Sequence, residues 1–308
     1  MTRRSEPATP QPSAVRTLLD DAIDYAGLFP PAGLGMDEAV GRYAAGRRGP
    51  EGWMLARFAV PARRLPELER SAAGLSDPAG PRPWRLSAIG GDDPGGDLEA
   101  ITAFNGRRPE AFVVDTFETR VTAPSAVRSL MKSIPAALNI YVELPFDADP
   151  PAWIAALAPA GARAKLRAGG VTADRFPSSR AVAGFLSACV GAGVPFKTTA
   201  GLHHALRSVQ PLTYEPGSAT ALMHGLLNML LAAALASRTP GAAGRAPVED
   251  LLEERSPAAF RFEPDAVAWR EHRIARADLQ ETRRARLVAV GSCSFDEPVA
   301  ELKRMGVL

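Results

Sequence analysis

The stretch from Arg163 to His204 constrains the fold more than any other part of the chain. Ala164, Lys165, Leu166 and Arg167 alternate at period two, so Lys165 and Arg167 leave the same face of a strand that Gly169-Gly170 brings to an end. Beyond Pro177, Ser178 and Ser179 offer an N-cap hydroxyl. Val182, Phe185, Leu186 and Cys189 recur at helical spacing, and Gly191 or Gly193 supplies the stop. Val194 to Thr199 is then a short strand that delivers Lys197 to the end of the sheet where Lys165 and Arg167 already point. Strand, helix and strand within about forty residues form a βαβ unit, whose two strands are expected to be parallel.

The same alternation extends through the chain. Further strands are expected at 53–60, 84–89, 111–115, 138–144, 260–262 and 286–290, which brings the count to eight. Helices are expected at 14–26, 36–45, 66–73, 98–104, 125–134, 151–157, 277–284 and 299–305. A chain of 308 residues with 46% apolar content can bury a full core and has the length of a (β/α)8 barrel. No G-x-G-x-x-G or G-x-x-x-x-G-K-[ST] pattern occurs, which argues against an open nucleotide-binding sheet. The expected fold is α/β: one TIM-type (β/α)8 barrel over 14–308 with an N-terminal helical and loop extension, preceded by a disordered arm at 1–13.

Charge and composition narrow the partners. With 36 basic and 34 acidic residues in mixed order, nothing in the balance calls for nucleic acid, so any anion site must be local. The two cysteines, Cys189 and Cys293, give no disulfide framework, and the start MTRRSEPATPQPS has no apolar stretch behind its arginines. A cytoplasmic protein is expected. The segment 219–237 reads as a very apolar helix, but His224, Gly225 and Asn228 interrupt it; it fits burial between layers or at a homo-oligomer contact, not a membrane.

Lysine usage points to the chemistry. The chain holds four lysines against 32 arginines, so wherever positive charge alone is wanted it uses Arg, yet Lys165 and Lys197 sit on neighbouring strand ends. An amine can give up its proton and act as nucleophile or base, which a guanidinium cannot. In a parallel barrel the C-terminal strand ends form the active site. Asp115, Glu143, Lys165 and Lys197 are therefore the catalytic candidates, all converging on one pocket. Arg167, Gly169, Gly170, Thr198, Thr199, His203 and His204 are candidates for holding a small anionic metabolite. Mutual repulsion of the two ammoniums is expected to depress an amine pKa. Cys293 has no histidine near it in sequence and is given no role. No HxH or HExxH spacing occurs, and neither a metal nor a cofactor is assigned.

PFKTTAGL resembles the Schiff-base strand of deoxyribose-phosphate aldolases, FxKTSTG, with Lys197 at the imine-forming lysine and Gly201 at the glycine. KLRAGG matches that family's second-lysine pattern K-x-x-G-G but precedes the first instead of following it. DYAGLFPPA, FKTTAGLHH and GSCSFDEP together look like a group of bacterial barrel-like proteins, a likeness that implies fold and no activity. The resemblance implies a lyase of aldolase type in which Lys197 attacks a carbonyl, Lys165 tunes it, and Glu143 or Asp115 moves protons. Kept open beside it are an isomerase or non-aldol lyase with lysine as general base, a metal-dependent hydrolase or lyase, and a scaffold that only binds an anionic metabolite.

Overall fold

The computed structural model describes residues 13–73, 75, 83–146 and 148–308. Of the arm expected at 1–13, only Ser13 falls within these residues, where its side chain accepts a hydrogen bond from Arg16 N–H and caps helix α1 (Ala14–Leu19).

Eight strands close into an all-parallel barrel, as the alternation predicts, but one member differs. The barrel strands are β1 (Ile23–Tyr25), β2 (Leu55–Pro61), β3 (Trp84–Ile89), β4 (Phe112–Thr119), β5 (Asn139–Glu143), β6 (Arg163–Arg167), β7 (Phe196–Thr199) and, after the excursion described next, a last strand at Leu287–Ser292 that closes onto β1. Between β7 and that last strand the chain leaves the barrel. It forms a hairpin of β8 (Ser208–Pro211) and β9 (Thr220–Met223), two helices, and an antiparallel sheet of β10 (Phe260–Phe262), β11 (Ala266–Trp269) and β12 (His272–Ala275). The last barrel strand is therefore β13. Phe260–Phe262, expected as the seventh barrel strand, lies in this outer sheet instead, and Trp269–Ile274 spans the β11–β12 turn.

The missing barrel strand is β1, which the helical pattern of 14–26 concealed. The helix ends after Leu19 because Asp20 turns extended and Asp21 takes a positive φ of 47°. β1 is three residues long and buried throughout, so it offers no alternation from which a strand could be read.

Helices α2 (Met36–Arg48), α3 (Leu65–Ala73), α4 (Pro94–Asn105), α5 (Val127–Met131), α6 (Pro150–Ala160) and α7 (Ser179–Ala192) connect successive strands from β1 to β7. α7 is built as its sequence reads: Ser178 caps it through Ala181 N–H, Gly193 ends it at φ 69°, and Val182, Phe185, Leu186 and Cys189 are buried. Outward-facing strand residues pack on this layer, with Tyr43 of α2 edge-on to Phe58 and Trp84.

The segment expected as one helix at 219–237 is β9 followed by α8 (Leu226–Arg238), broken where Gly225 passes so close to Leu206 that a Cβ would clash with its backbone. Residues 226–236 are all buried within this one chain, against α7, α9 (Ala242–Glu253) and α10 (Arg276–Ala285). No subunit contact is needed to account for its apolarity. Asn228 is satisfied in full, accepting from Arg207 N–H and donating to Leu251 O and Glu254 O. α11 (Asp296–Arg304) follows β13. Among the described residues, no helix is long and apolar enough to cross a membrane.

Candidate active site

A barrel of this kind is usually filled with branched aliphatic side chains. Here the interior is ionic, because the inward positions of the strands carry Asp24, Arg57, Glu118, Glu143, Lys165 and Lys197, all of them buried. Buried charges are tolerated only when matched, and these are matched in strict alternation. Lys197 Nζ contacts Asp24 Oδ2 on one side and Glu118 Oε1, 2.5 Å away, on the other. Glu118 Oε2 lies 2.6 Å from Lys165 Nζ, which reaches Glu143 Oε2 at 2.8 Å; Arg120 then meets Glu143 Oε1 at 2.6 Å. Ser87 donates to Glu118 Oε1 at 2.6 Å. Six charges, three of each sign, thus run from β1 to the rim.

The strands set this order. Lys165 and Lys197 are directly opposed partners in the parallel β6–β7 pair, and Glu143 is opposite Lys165 in β5–β6. Glu118 arrives by a register shift: Val114 pairs with Leu86 and Thr116 with Ser87, so Asp115 is an extra residue in β4. In a regular strand, residues 115 and 118 would face opposite sides; the bulge lets both turn inward.

Above the two lysines lies a cavity of about 210 Å³ lined on its apolar side by Phe29, Pro30 and Ile89 and on its polar side by Arg120, Glu143, Lys165, Arg167, Lys197 and Thr199. Lys165, Lys197, Glu143, Arg167 and Thr199 come together as the sequence predicts. Six others, the two histidines among them, do not line it. Asp115 belongs to the lower half of the barrel, bound by Arg57 at 2.5 and 3.0 Å and by Arg85 at 2.9 Å, because β4 continues for four residues beyond it. Thr198 is buried on the opposite face of β7 from Lys197 and Thr199, with its hydroxyl unpartnered. Gly169 and Gly170 are spacing residues: a Cβ on Gly169 would lie 2.9 Å from Gly201 Cα, and Gly169 offers its carbonyl, not its N–H, to Arg167 Nε.

The histidines lie outside the cavity. His204 Nδ1 is 2.7 Å from Glu301, while His203 is buried with Nδ1 3.1 Å from Cys293 Sγ and Nε2 3.4 Å from Met223 Sδ. Cys293 reaches the cavity wall, so the histidine absent beside it in sequence comes to it in space. Burial, with His204 nearby, lowers the His203 pKa to about 4, and burial pushes the Cys293 thiol up to about 11. The pair is neutral at neutral pH and does not hold a thiolate. Among the described residues, no group of three or more His, Cys, Asp or Glu side chains is placed to hold a metal ion.

The charges fix protonation against the expected direction. Burial alone would lower the Lys197 pKa, but Asp24 and Glu118 more than reverse it, so the amine is held well above its ordinary range. Repulsion from Lys165 does not depress it, because Glu118 lies between the two ammoniums. Burial likewise works to raise Glu118, and Lys165 and Lys197 pull it far below the usual carboxylate range; Glu143 is lowered by Lys165 and Arg120 against the same opposition.

No family model and no curated protein matches the chain. The aldolase resemblance around Lys197 therefore stands on its local residues alone.

Sequence reasoning missed Asp24, Glu118 and Arg120 as site residues. Asp24 hides in the three-residue β1, and Arg120 is the first residue past β4. Glu118 had a readable signal, since Thr116 and Glu118 alternate in TFET beyond the point at which the strand was expected to stop.

Proposed function

We propose that the protein is a lyase of aldolase type, acting on a small anionic carbonyl compound through an active-site lysine. The observation that carries this is the pair of lysine amines sharing Glu118 at the floor of a small cavity whose rim carries two arginines. Two lysines on adjacent strands are an unusual expense in a chain that otherwise chooses arginine, and arginines at the mouth suit a carboxylate or phosphate. The cavity volume favours a metabolite of a few carbons.

The roles of the two lysines exchange relative to the sequence expectation. Lys197, with 1% of its side chain exposed and two carboxylates against it, supplies a fixed positive charge. Lys165, at 8%, is the more open of the two and is tied to Glu143, whose other oxygen is held by the largely exposed Arg120. A substrate anion that draws Arg120 away removes one of the two cations depressing Glu143, which then accepts the proton of Lys165. The freed amine adds to the carbonyl carbon. Glu143 returns the proton to the carbinolamine oxygen, water leaves, and a protonated imine remains beside Lys197.

A second reading keeps the same cavity. Because Lys197 is held protonated, it is equally suited to stabilise an enolate formed when Glu143 removes a proton next to the carbonyl, which makes an isomerase or non-aldol lyase.

Borohydride trapping with short 2-oxo acids and phosphorylated aldehydes, followed by peptide mass spectrometry, tests the imine. A reduced adduct on Lys165 is expected. Turnover of one of these compounds without any trapped lysine would favour the enolate reading and sink the imine.

A further inference from the structure

Cys293 has no part in the lysine chemistry, yet it lies directly past β13 on the wall of the same cavity as Lys165, Arg167 and Lys197, with 9% of its surface exposed. Several elements converge on it. The link from β7 to β8 brings His203 Nδ1 to 3.1 Å from the sulfur, and the turn of the β8–β9 hairpin brings the Tyr214 hydroxyl to 3.9 Å. The end of β9 places Met223 Sδ 3.4 Å from His203 Nε2, and the first turn of α11 sets Glu297 Oε2 3.6 Å from His203 Nδ1.

These contacts choose the tautomer. A thioether sulfur accepts and does not donate, so the ring proton sits on Nε2 toward Met223 and Nδ1 is bare. Cys293 therefore donates its S–H to a nitrogen able to take the proton away, which is the arrangement of a nucleophile with its base. Glu297 Oε2 is out of solvent contact with no hydrogen-bond partner, so an imidazolium formed by that transfer meets an unused carboxyl oxygen. Cys189 is the internal contrast: it is fully buried on α7 in the hydrophobic core, and burial alone raises its pKa.

We propose that Cys293 is a second reactive group of the cavity, with His203 as its base, and that it adds to a short α,β-unsaturated carbonyl compound carrying a carboxylate. A soft, polarisable sulfur bonds to the conjugated alkene carbon, where an amine takes the carbonyl carbon. Arg120 and Arg167 on the cavity wall suit the carboxylate, and Lys197, held protonated, suits the negative charge that develops on the carbonyl oxygen. Sγ bonds to the terminal alkene carbon as its proton passes to His203 Nδ1, the alkene electrons move onto the carbonyl oxygen as an enolate, and Nδ1 returns the proton to the carbon next to the carbonyl. Thiol and ligand combine whole, with no leaving group and no oxidant or reductant. The assignment uses the cavity and its cations but not the imine on Lys165, so either can fail alone.

The test incubates the full chain at about pH 7 with 2-oxo-3-butenoate, and with methyl vinyl ketone as its neutral counterpart, and locates adducts by peptide mass spectrometry. An adduct of the whole compound is expected on Cys293 and none on Cys189, at a rate within ~10-fold of a short peptide carrying one cysteine, or faster. An unassisted thiol pushed up to about 11 from 9 holds ~10² less thiolate than the peptide and falls well short of that rate. His203→Asn keeps an acceptor for the S–H but no base and is expected to slow labelling at least ~10-fold, while Arg167→Gln is expected to remove the preference for the anionic probe. Labelling of Cys293 more than ~10-fold slower than the peptide, or an unchanged rate in folded His203→Asn, overturns the proposal; if that variant misfolds by circular dichroism, the comparison of wild type with peptide decides. A wild type that favours the neutral probe as much as the peptide does overturns the anionic class. An adduct on Lys165 in place of Cys293 also overturns the proposal and leaves the lysine reading standing.

Discussion

Above Asp24 the barrel interior sets lysines against glutamates, and below it arginines against aspartates. Lys197, Lys165, Glu118 and Glu143 form the upper run, while Arg57 and Arg85 hold Asp115 in the lower one. Both are ion-pair networks on the barrel strands, the four upper residues all buried and the lower network opening to solvent at Arg85, whose side chain is 38% exposed. What separates them is the proton: a guanidinium holds a fixed charge, whereas an ammonium in contact with a carboxylate can hand its proton over. Function is therefore expected to be concentrated in the upper run, and the lower one to serve as framework.

The largest effect is expected on stability from Lys197→Met. It strands Asp24 and Glu118 in the core, where breaking a buried pair from one side costs about 3–5 kcal/mol. Urea unfolding of the variant measures this. A loss under about 1 kcal/mol would mean that water reaches the site and that the upper run is not a buried network.

Next comes the exchange that distinguishes amine from charge. Lys165→Arg preserves the cation beside Glu118 and Glu143 and is expected to lose at least ~10² in turnover, about 3 kcal/mol in the barrier, together with the trapped imine. Arg85→Lys, the reverse exchange in the lower run, is expected to stay within a few-fold. Comparable losses from both would erase the distinction between the halves.

This division was partly legible in the sequence. Period-two alternation placed Lys165, Arg167 and Lys197 on one face, and the β6–α7–β7 unit came out as read because its caps and apolar spacing are local signals. The same alternation already put Thr198 on the opposite face from Lys197, so assigning both threonines to the site conflicted with it. Asp24 and Arg57 were not legible as partners, since β1 is too short to show a pattern; Glu118 was readable from its alternation with Thr116, but the bulge at Asp115, which turns 115 and 118 to the same side, was not. The contact between His203 and Cys293 joins residues 90 positions apart, a closure no local pattern carries.

Acid titration probes both halves together. Glu118, Glu143 and Asp115 all have folded pKa values below their ordinary ones, 4.5 for the glutamates and 3.8 for Asp115, so their contribution is complete above those values and drains away as pH falls below them. His203 and His224 add an earlier limb. Burial lowers each to about 4 from 6.5, so the unfolded chain takes up protons first and stability declines from about pH 6.5 down to 4. Unfolding free energies measured from pH 8 to 3 are expected to show both limbs. His203→Asn should make the upper limb shallower, with His224 supplying what remains, and leave the lower one, and Asp115→Asn should reduce only the lower; a wild-type profile flat from pH 6.5 to 4.5 would contradict the buried neutral histidines.

The smallest stability effect, and the most selective functional one, is expected at the outer end of the upper run. Arg120 has 71% of its side chain exposed, so its pair with Glu143 is a rim contact, and removing it by Arg120→Gln is expected to change stability by less than about 1 kcal/mol. Arg120 is nonetheless the one cation of the ladder that a substrate anion can draw away without dismantling the core. The variant is therefore expected to raise KM for the anionic substrate. It also leaves Glu143 permanently without that partner, so proton transfer from Lys165 no longer awaits substrate, and imine trapping with a neutral carbonyl compound of similar size should gain relative to the anionic one. Comparing trapping rates of a neutral and an anionic substrate on wild type and Arg120→Gln reads this directly. If both substrates lose trapping in parallel, Arg120 acts by holding Glu143 in place and not by exchanging it for the substrate.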